Sequence, residues 1–264
     1  MRILGAVPLI LVIGTAILFV GRSDTISTGQ RDQNLPTRPV LVELFTSEGC
    51  SSCPPADALL ARLDQQQWLG NAEIIALEEH VDYWDQLGWR DPYSSSQWTE
   101  RQQDYAATFR NDGVYTPQMV VDGRIEFVGN SQSRARTAIA EAAREPKAEI
   151  GLTKQSDSNG KATFSIAVKM APQSEGQKTQ VWLAVTETGL HSNVLHGENA
   201  GEDLHHAAVV RSLRKVGDAT NSYSSEQDVR LDSGWKKENL RVVVFVQDPK
   251  SKHIVGAASL RLQR

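Results

Sequence analysis

The sequence predicts two domains: an α/β domain with a mixed sheet flanked by helices at residues 38–146, and a β-rich, sandwich-like domain at residues 147–264. Three observations predict this division. Strand-like apolar runs alternate with helical patterns in the first part. The pair Asp122-Gly123 separates two apolar runs and indicates a tight hairpin. After residue 147, short runs separated by turn residues are typical of an antiparallel sandwich.

The first predicted domain alternates strands and helices. Strands are predicted at residues 40–45 and 73–77, which are apolar runs of strand length. Between them, Pro54 and Pro55 suit the first turn of a helix, where the backbone N–H groups have no partner. Two strands joined through a helix are expected to pair in parallel, with a right-handed crossover.

A helix, a hairpin and a last helix are predicted to complete this domain. Serines at residues 94–96 offer N-caps for the first of these helices. The hairpin strands are expected at residues 119–121 and 124–128. The last helix is expected to be capped by Ser131 or Ser133.

The second predicted domain contains only short strands. They are predicted at residues 163–169, 181–186, 209–213, 229–231, 242–247 and 254–262. This part of the sequence has no cysteine and no glycine-rich nucleotide motif. Four of its five histidines (His191, His196, His205 and His206) are interpreted as mostly surface residues rather than a metal site, because neighbours on a strand face opposite sides.

The N-terminal segment indicates export. Residues 3–21 carry no charge and lie between Arg2 and Arg22. Their number falls between the ~7–15 residues of a signal-peptide core and the ~20 of a spanning helix. We therefore predict that residues 1–22 are an export signal, cleaved or kept as a membrane anchor, and that residues 23–37 are a flexible spacer. The expected location is periplasmic or secreted.

Composition excludes several classes of function. The formal net charge is −4, with 28 basic and 32 acidic residues. This balance lacks the basic footprint that nucleic acid requires, so no nucleic-acid partner is expected. The chain has 2 cysteines, too few for a disulfide framework or a four-cysteine zinc site.

Both cysteines belong to one C-x-x-C motif, Cys50 and Cys53, between the first strand and the first helix. A disulfide joining them would close a very small ring and so constrain the unfolded chain very little. The positive end of a helix stabilises a thiolate, which favours a redox pair. Cys50 is expected to be the exposed attacking thiol and Cys53 the resolving thiol.

Three polar or aromatic residues follow the second predicted strand: His80, Asp82 and Trp84. Parallel strands end at one edge of a sheet, so these side chains are expected near the cysteines. His80 is predicted to transfer protons at Cys53, to complete a metal site or to be a structural histidine. Glu43 lies on an otherwise apolar strand, where an unpaired charge would be costly. Its carboxylate is therefore predicted to pair with a backbone or helix group.

The order of elements, the Cys50-Ser51-Ser52-Cys53 motif and Thr116-Pro117 before the hairpin resemble the thioredoxin superfamily. The resemblance implies a thioredoxin-like fold for residues 38–146. It implies that Cys50 and Cys53 are a redox pair and that Pro117 is a cis-proline packed against them. It also implies an alternative role for Glu43, as the carboxylate that accepts the proton of the resolving thiol. Thr116, Asp82 and Trp84 are candidates for a substrate groove, and ordinary packing of the long loop at residues 81–96 is the alternative for its aromatic residues. The sequence departs from that family at Gly49, where thioredoxins usually carry tryptophan.

A more specific resemblance covers most of the chain beyond residue 38. Four stretches are similar to an uncharacterised family of secreted bacterial thioredoxin-like proteins, known only as a domain of unknown function: residues 42–55, 80–84, 114–123 and 197–201. This resemblance implies a fold but no established reaction.

These observations predict an exported thiol–disulfide oxidoreductase that needs no organic cofactor. Its expected partners are the thiols or disulfides of exported proteins, and its oligomeric state is not predicted. One alternative is a copper- or zinc-binding module that uses Cys50, Cys53 and His80. Another is a non-catalytic interaction protein with an inert disulfide.

Overall fold

The computed structural model describes residues 36–263. The predicted export segment at residues 1–22 and most of the predicted spacer at 23–37 lie outside the described residues. The first half of the described chain contains β1 (Arg38–Thr46), α1 (Pro54–Gln66), β2 (Trp68–Leu69), β3 (Ala72–His80), α2 (Ser96–Phe109), β4 (Gln118–Val121), β5 (Ile125–Val128) and α3 (Gln132–Ala142).

The second half of the described chain is built from strands and short 3₁₀ turns. The strands are β6 (Glu149–Ser158), β7 (Lys161–Lys169), β8 (Thr179–Glu187), β9 (Leu190–Asn193), β10 (Asp203–His206), β11 (Val209–Ala219), β12 (Ser222–Arg230), β13 (Leu240–Gln247) and β14 (Ile254–Arg261). No helix within residues 36–263 is long and apolar enough to cross a membrane.

Strands from both halves of the chain form one nine-stranded mixed sheet. Its order is β14-β13-β8-β11-β3-β1-β4-β5, and β2 also pairs with β3. β1 and β3 are parallel, as the sequence predicts, with Thr46 opposite His80 at their ends. β11 extends the sheet on the other edge of β3, where Val209 pairs with Glu78.

The predicted fold class is therefore wrong. A helix-flanked thioredoxin-like domain followed by a separate β-sandwich would divide the strands between two units, whereas here they share one sheet. The residues 36–263 contain only three α-helices. The physical reason is that, beyond its short pairing with β2, one edge of β3 is left free by the first half of the chain, and β11 joins it at Glu78. The domain boundary near residue 146 stays a prediction.

Both faces of the added strands are buried, which explains their continuous apolar runs. On one face, Leu183 of β8 and Val244 of β13 pack against Phe164 of β7, which belongs to a three-stranded sheet of β12, β7 and β6. On the other face, Phe245 packs in one cluster with Tyr105 of α2. The separate sandwich domain is thus replaced by a small sheet packed on the large one.

Several local predictions are confirmed. α1 begins at Pro54, and Ser95 caps α2 by accepting a hydrogen bond from the Gln97 backbone N–H. Asp122 and Gly123 form the predicted tight turn, with φ of 48° and 65°. Gly123 is required there for a second reason, because a Cβ would lie 1.9 Å from the Lys252 carbonyl oxygen.

Candidate functional site

The predicted disulfide between Cys50 and Cys53 is present, with a Cα–Cα distance of 5.4 Å. Cys53 is the N-cap residue of α1, and its carbonyl accepts hydrogen bonds from the Ala56 and Asp57 backbone N–H groups. Ser52 Oγ lies 3.4 Å from Cys50 Sγ. The pair therefore stands at the positive end of a 13-residue helix, with a hydroxyl beside the first sulfur.

The prediction that Cys50 is exposed is wrong. Cys50 and Cys53 are both 0% exposed, although Ser51 between them reaches the surface. The cover is the loop between β9 and β10. In it, Asn199 Nδ2 donates to the carbonyl oxygens of Glu48, at 2.8 Å, and Cys50, at 3.1 Å. A hairpin from the second half of the chain therefore closes over the cysteine loop.

The loops after β3 and before β4 carry three of the predicted site residues: Trp84, Thr116 and Pro117. The Thr116-Pro117 peptide bond is cis, as the resemblance implies. The indole Nε1 of Trp84 donates to Thr116 Oγ1 at 2.9 Å. Trp84 also explains the small residue before the first cysteine, because a Cβ at Gly49 would lie 3.1 Å from the Trp84 Cβ. The structure thus places Trp84 beside both the cysteine loop and Thr116.

Asp82 has a different environment from Trp84. Its carboxylate accepts a hydrogen bond from the Thr99 hydroxyl at 2.6 Å, and its backbone N–H donates a hydrogen bond to that same Thr99 hydroxyl oxygen. Asp82 therefore positions the first turns of α2, and its place in a substrate groove stays a prediction.

Glu43 faces away from the helix that carries Cys53. It shares its strand face with Phe45, toward α2, and binds Arg101 at 2.6 Å and the Tyr105 hydroxyl at 2.5 Å. α1 packs on the opposite face of the sheet, against Leu44. These contacts agree with the prediction that Glu43 pairs with a helix group. The predicted role of Glu43 in proton transfer stays a prediction.

Asp57 is a buried carboxyl group that the sequence interpretation missed. It lies four residues after Cys53, so the two share one face of the start of α1. Its Oδ1 accepts a hydrogen bond from Thr46 Oγ1 at 2.6 Å. Burial, with a further contribution from Glu78, raises the pKa of Asp57 to about 7. An acidic residue on the apolar face of the first helical turn was the available sequence signal.

A buried cluster of carboxylates and imidazoles lies at the ends of β3 and β10. His80 Nδ1 lies 2.7 Å from Asp91 Oδ2. His206 Nδ1 lies 3.0 Å from Glu78 Oε1, and its Nε2 lies 3.0 Å from Glu48 Oε1. The two imidazole rings are 4.7 Å apart.

The interpretation of His206 as a surface residue is wrong. The two neighbours do face opposite sides of the strand, since the His205 side chain is 74% exposed while His206 points inward. No pattern in the sequence indicates that the end of β10 is covered. In the structure, His206 at this strand end lies against Glu78 of β3, which is itself fully buried.

Comparison with known proteins identifies a family. Residues 41–247 match the model of a family described as protein of unknown function, DUF1223. The chain belongs to this family. The match confirms the uncharacterised family that the sequence resembles, and membership of the thioredoxin superfamily is not shown by it.

Two solved structures are similar in fold to this DUF1223 protein. A crystal structure from Agrobacterium tumefaciens, determined as a structural genomics target, is 25% identical, with a TM-score of 0.67 over 87% of this chain and 97% of that chain. HBP35 of Porphyromonas gingivalis is 18% identical, with a TM-score of 0.64 over 86% of this chain and 76% of that chain. No curated protein matches the chain.

Burial and neighbouring charges shift the pKa values in the buried cluster at the ends of β3 and β10. Burial lowers the pKa of His80, but Asp91 and Glu78 together raise this pKa well above its ordinary value. For His206, burial is likewise outweighed by Glu78 and Glu48 together, and the pKa rises to about 9. Burial raises the pKa of Glu78, but His206 and His80 together lower it below its ordinary value. The buried charges are thus stabilised in pairs.

The metal site predicted from Cys50, Cys53 and His80 is not assembled in this structure. The two sulfurs are bonded to each other, so neither is a thiolate. His80 instead faces Glu78 and Asp91. The cluster is connected to the cysteine loop through Glu48. This residue lies two positions before Cys50, and its backbone N–H donates a hydrogen bond to Asp91.

Proposed function

We propose that this protein is an extracytoplasmic thiol–disulfide oxidoreductase in which Cys50 and Cys53 exchange electrons with other exported proteins. One observation carries the proposal: the disulfide stands at the start of α1, and Asp57, whose pKa is about 7, lies one helical turn further on the same side. A carboxyl group with a pKa near ambient pH is suited to proton transfer.

The proposed reaction begins from the reduced protein. The Cys50 thiolate attacks one sulfur of a partner disulfide, a mixed disulfide forms and the other partner sulfur leaves as a thiolate. Cys53 then loses its proton to the Asp57 carboxylate and attacks Cys50 Sγ. The Cys50–Cys53 disulfide forms, and the partner leaves with both of its sulfurs reduced. The reverse sequence oxidises a partner dithiol, and neither direction needs an organic cofactor.

A purely stabilising role for the disulfide has little physical support. The ring closed by Cys50 and Cys53 is so small that it removes little entropy from the unfolded chain. The helix start stabilises the Cys50 thiolate, and the Ser52 hydroxyl can donate to it.

Protein partners require the cover to open. Cys50 is fully buried, and Asn199 of the loop at residues 197–201 is bonded to its main-chain carbonyl, so we propose that this loop moves aside when a partner sulfur reaches Cys50. We propose partners among exported proteins because the uncharged residues 3–21 favour export, with cleavage or retention as an anchor.

A trapping experiment tests this function. Cys53→Ala lacks the resolving thiol, so Cys50 is expected to retain partners as mixed disulfides that survive purification from the native compartment without reductant. The double variant Cys50→Ala/Cys53→Ala is the matched control. The wild-type disulfide is equilibrated with glutathione buffers in parallel. A potential below about −300 mV, with no trapped partner, would show that the disulfide is inert.

A further inference from the structure

We propose that Glu78, His80 and His206 form a binding site for a divalent transition-metal ion of the zinc class. One donor atom from each of these buried residues lies within 4.8 Å of the other two. Glu78 Oε1 lies 3.6 Å from His80 Nε2 and 3.0 Å from His206 Nδ1. Bonds of ~2.0–2.1 Å in a tetrahedral site place ligand atoms roughly 3.4 Å apart, which is close to these separations.

An unpartnered nitrogen points to the same place. His80 Nε2 is buried and has no hydrogen-bond partner among the described residues. Its nearest carboxylate oxygen, on Glu78, is too distant for a hydrogen bond. Leaving such a buried polar atom unsatisfied costs about 1–3 kcal/mol. A metal ion between Glu78, His80 and His206 would give this nitrogen a partner.

The second nitrogen of each imidazole is held by a carboxylate outside the three ligands. Asp91 binds His80 Nδ1, and Glu48 binds His206 Nε2. This arrangement fixes the ring orientation and leaves His80 Nε2 and His206 Nδ1 directed toward Glu78. Metal-ligating histidines in proteins are held by carboxylates in the same way.

The supporting carboxylates are themselves fixed. Asp91 accepts backbone hydrogen bonds from Glu48, at 2.8 Å, and Tyr93, at 2.9 Å. Glu48 accepts a hydrogen bond from Trp89 Nε1 at 2.7 Å. Both imidazoles are therefore oriented by carboxylates whose own positions are fixed by hydrogen bonds.

The donor set favours one class of metal. Two imidazoles and one carboxylate suit zinc and similar first-row ions, whereas calcium and magnesium prefer oxygen donors alone. The ligands come from β3 and from the end of β10, so a bound ion would join two distant parts of the chain. It would take the place of the protons on the two imidazoles, because only the neutral ring binds a metal.

Zinc titration of the full chain, with the disulfide intact so that no thiolate is available, tests the site. We expect one zinc ion per wild-type chain by calorimetry. His80→Gln and His206→Gln are expected to weaken binding by more than ~100-fold, and Asp91→Asn by ~10–100-fold, as for outer carboxylates elsewhere. His205→Gln, on the exposed neighbouring residue, is the matched control and should bind as the wild type does.

Two wild-type measurements keep the proposal testable if the buried variants do not fold. Zinc should raise the melting temperature relative to chelator-treated protein, because it binds only the folded state. X-ray absorption of the zinc-loaded protein should show imidazole nitrogens at ~2.0–2.1 Å. The proposal is overturned if wild type takes up no zinc, if the spectrum lacks imidazole, or if folded His80→Gln and His206→Gln bind as tightly as wild type.

Discussion

The side-chain amide of Asn199 donates a hydrogen bond to the main-chain carbonyl of Cys50 at 3.1 Å, across a sequence separation of 149 residues. The same amide also donates to the Glu48 carbonyl. The loop that carries Cys50 is therefore held by a residue from the other half of the chain.

Asn199→Ala should make the disulfide easier to reach. Losing two hydrogen bonds to buried carbonyl oxygens costs about 1–3 kcal/mol in the covered state. We expect dithiothreitol to reduce the Cys50–Cys53 bond roughly 10-fold faster, since about 1.4 kcal/mol corresponds to a factor of ten. The rate is measured by alkylation and mass spectrometry.

Glu198→Ala is the control for the cover, because Glu198 lies in the same loop as Asn199 but bonds the exposed Ser51, whose backbone N–H donates to it at 3.1 Å. It should change the reduction rate much less than Asn199→Ala does. Equal rates for wild type and Asn199→Ala would show that this contact does not limit access.

Asp57→Asn should make the protein more stable at alkaline pH and slower in exchange. The folded-state pKa of Asp57 is about 7, above its ordinary value of 3.8. The folded state therefore holds a proton that the unfolded state has lost, so this carboxyl reduces stability as the pH rises from about 3.8 to 7. Asparagine keeps an oxygen acceptor for Thr46 without that cost. We expect a gain of a few degrees in melting temperature at pH 8, where about 1 kcal/mol corresponds to ~2–4 °C, and a smaller gain at pH 5.

The same variant separates stability from chemistry. Disulfide exchange by Asp57→Asn should be slower than in wild type because the proton acceptor for Cys53 is missing. Asp104→Asn, on an exposed carboxylate of α2, should leave the exchange rate unchanged and cost no more than the small energy of its pair with Lys252, less than about 1 kcal/mol. An Asp57→Asn protein with wild-type exchange kinetics at all pH values would remove Asp57 from the proposed reaction.

Arg101→Met should destabilise the fold strongly. Arg101 is the cation between the buried Glu43 and Glu79 carboxylates, at 2.6 and 3.4 Å. Removing one partner from a buried ion pair costs about 3–5 kcal/mol because a charge is left unpaired. Urea denaturation measures the loss. Lys252→Met, which breaks the more exposed pair with Asp104, should cost less than about 1 kcal/mol. Similar losses in both variants would contradict this account.

Gly123→Ala should cost more than Gly70→Ala, although both glycines have nearly the same φ, 65° and 63°. The left-handed backbone penalises alanine at either site by about 1–2 kcal/mol. At Gly123 the new methyl group would also meet the Lys252 carbonyl oxygen at 1.9 Å, whereas nothing lies within 4 Å at Gly70. Urea denaturation of the two variants should separate these effects. Equal losses would mean that the hairpin turn moves freely away from Lys252.

Predictions that depend on neighbouring residues agree with the structure. The Cys50–Cys53 bond, the start of α1 at Pro54 and the turn at Asp122 need only a few residues to define them. Helix starts and tight turns are set by local backbone geometry, so their residue types carry the information.

The sequence by itself thus determined the local elements and the cysteine pair, while the tertiary structure decided what surrounds them. It placed Asn199 over Cys50, Asp57 rather than Glu43 on the Cys53 side of the sheet, and His206 against Glu78, 128 residues away. The physical reason for the Asn199 and His206 contacts is that β11 pairs with the edge of β3, which brings the preceding hairpin of β9 and β10 to the end of β3. Backbone N–H and C=O groups are alike at every strand edge, so no local pattern specifies which strand will pair there.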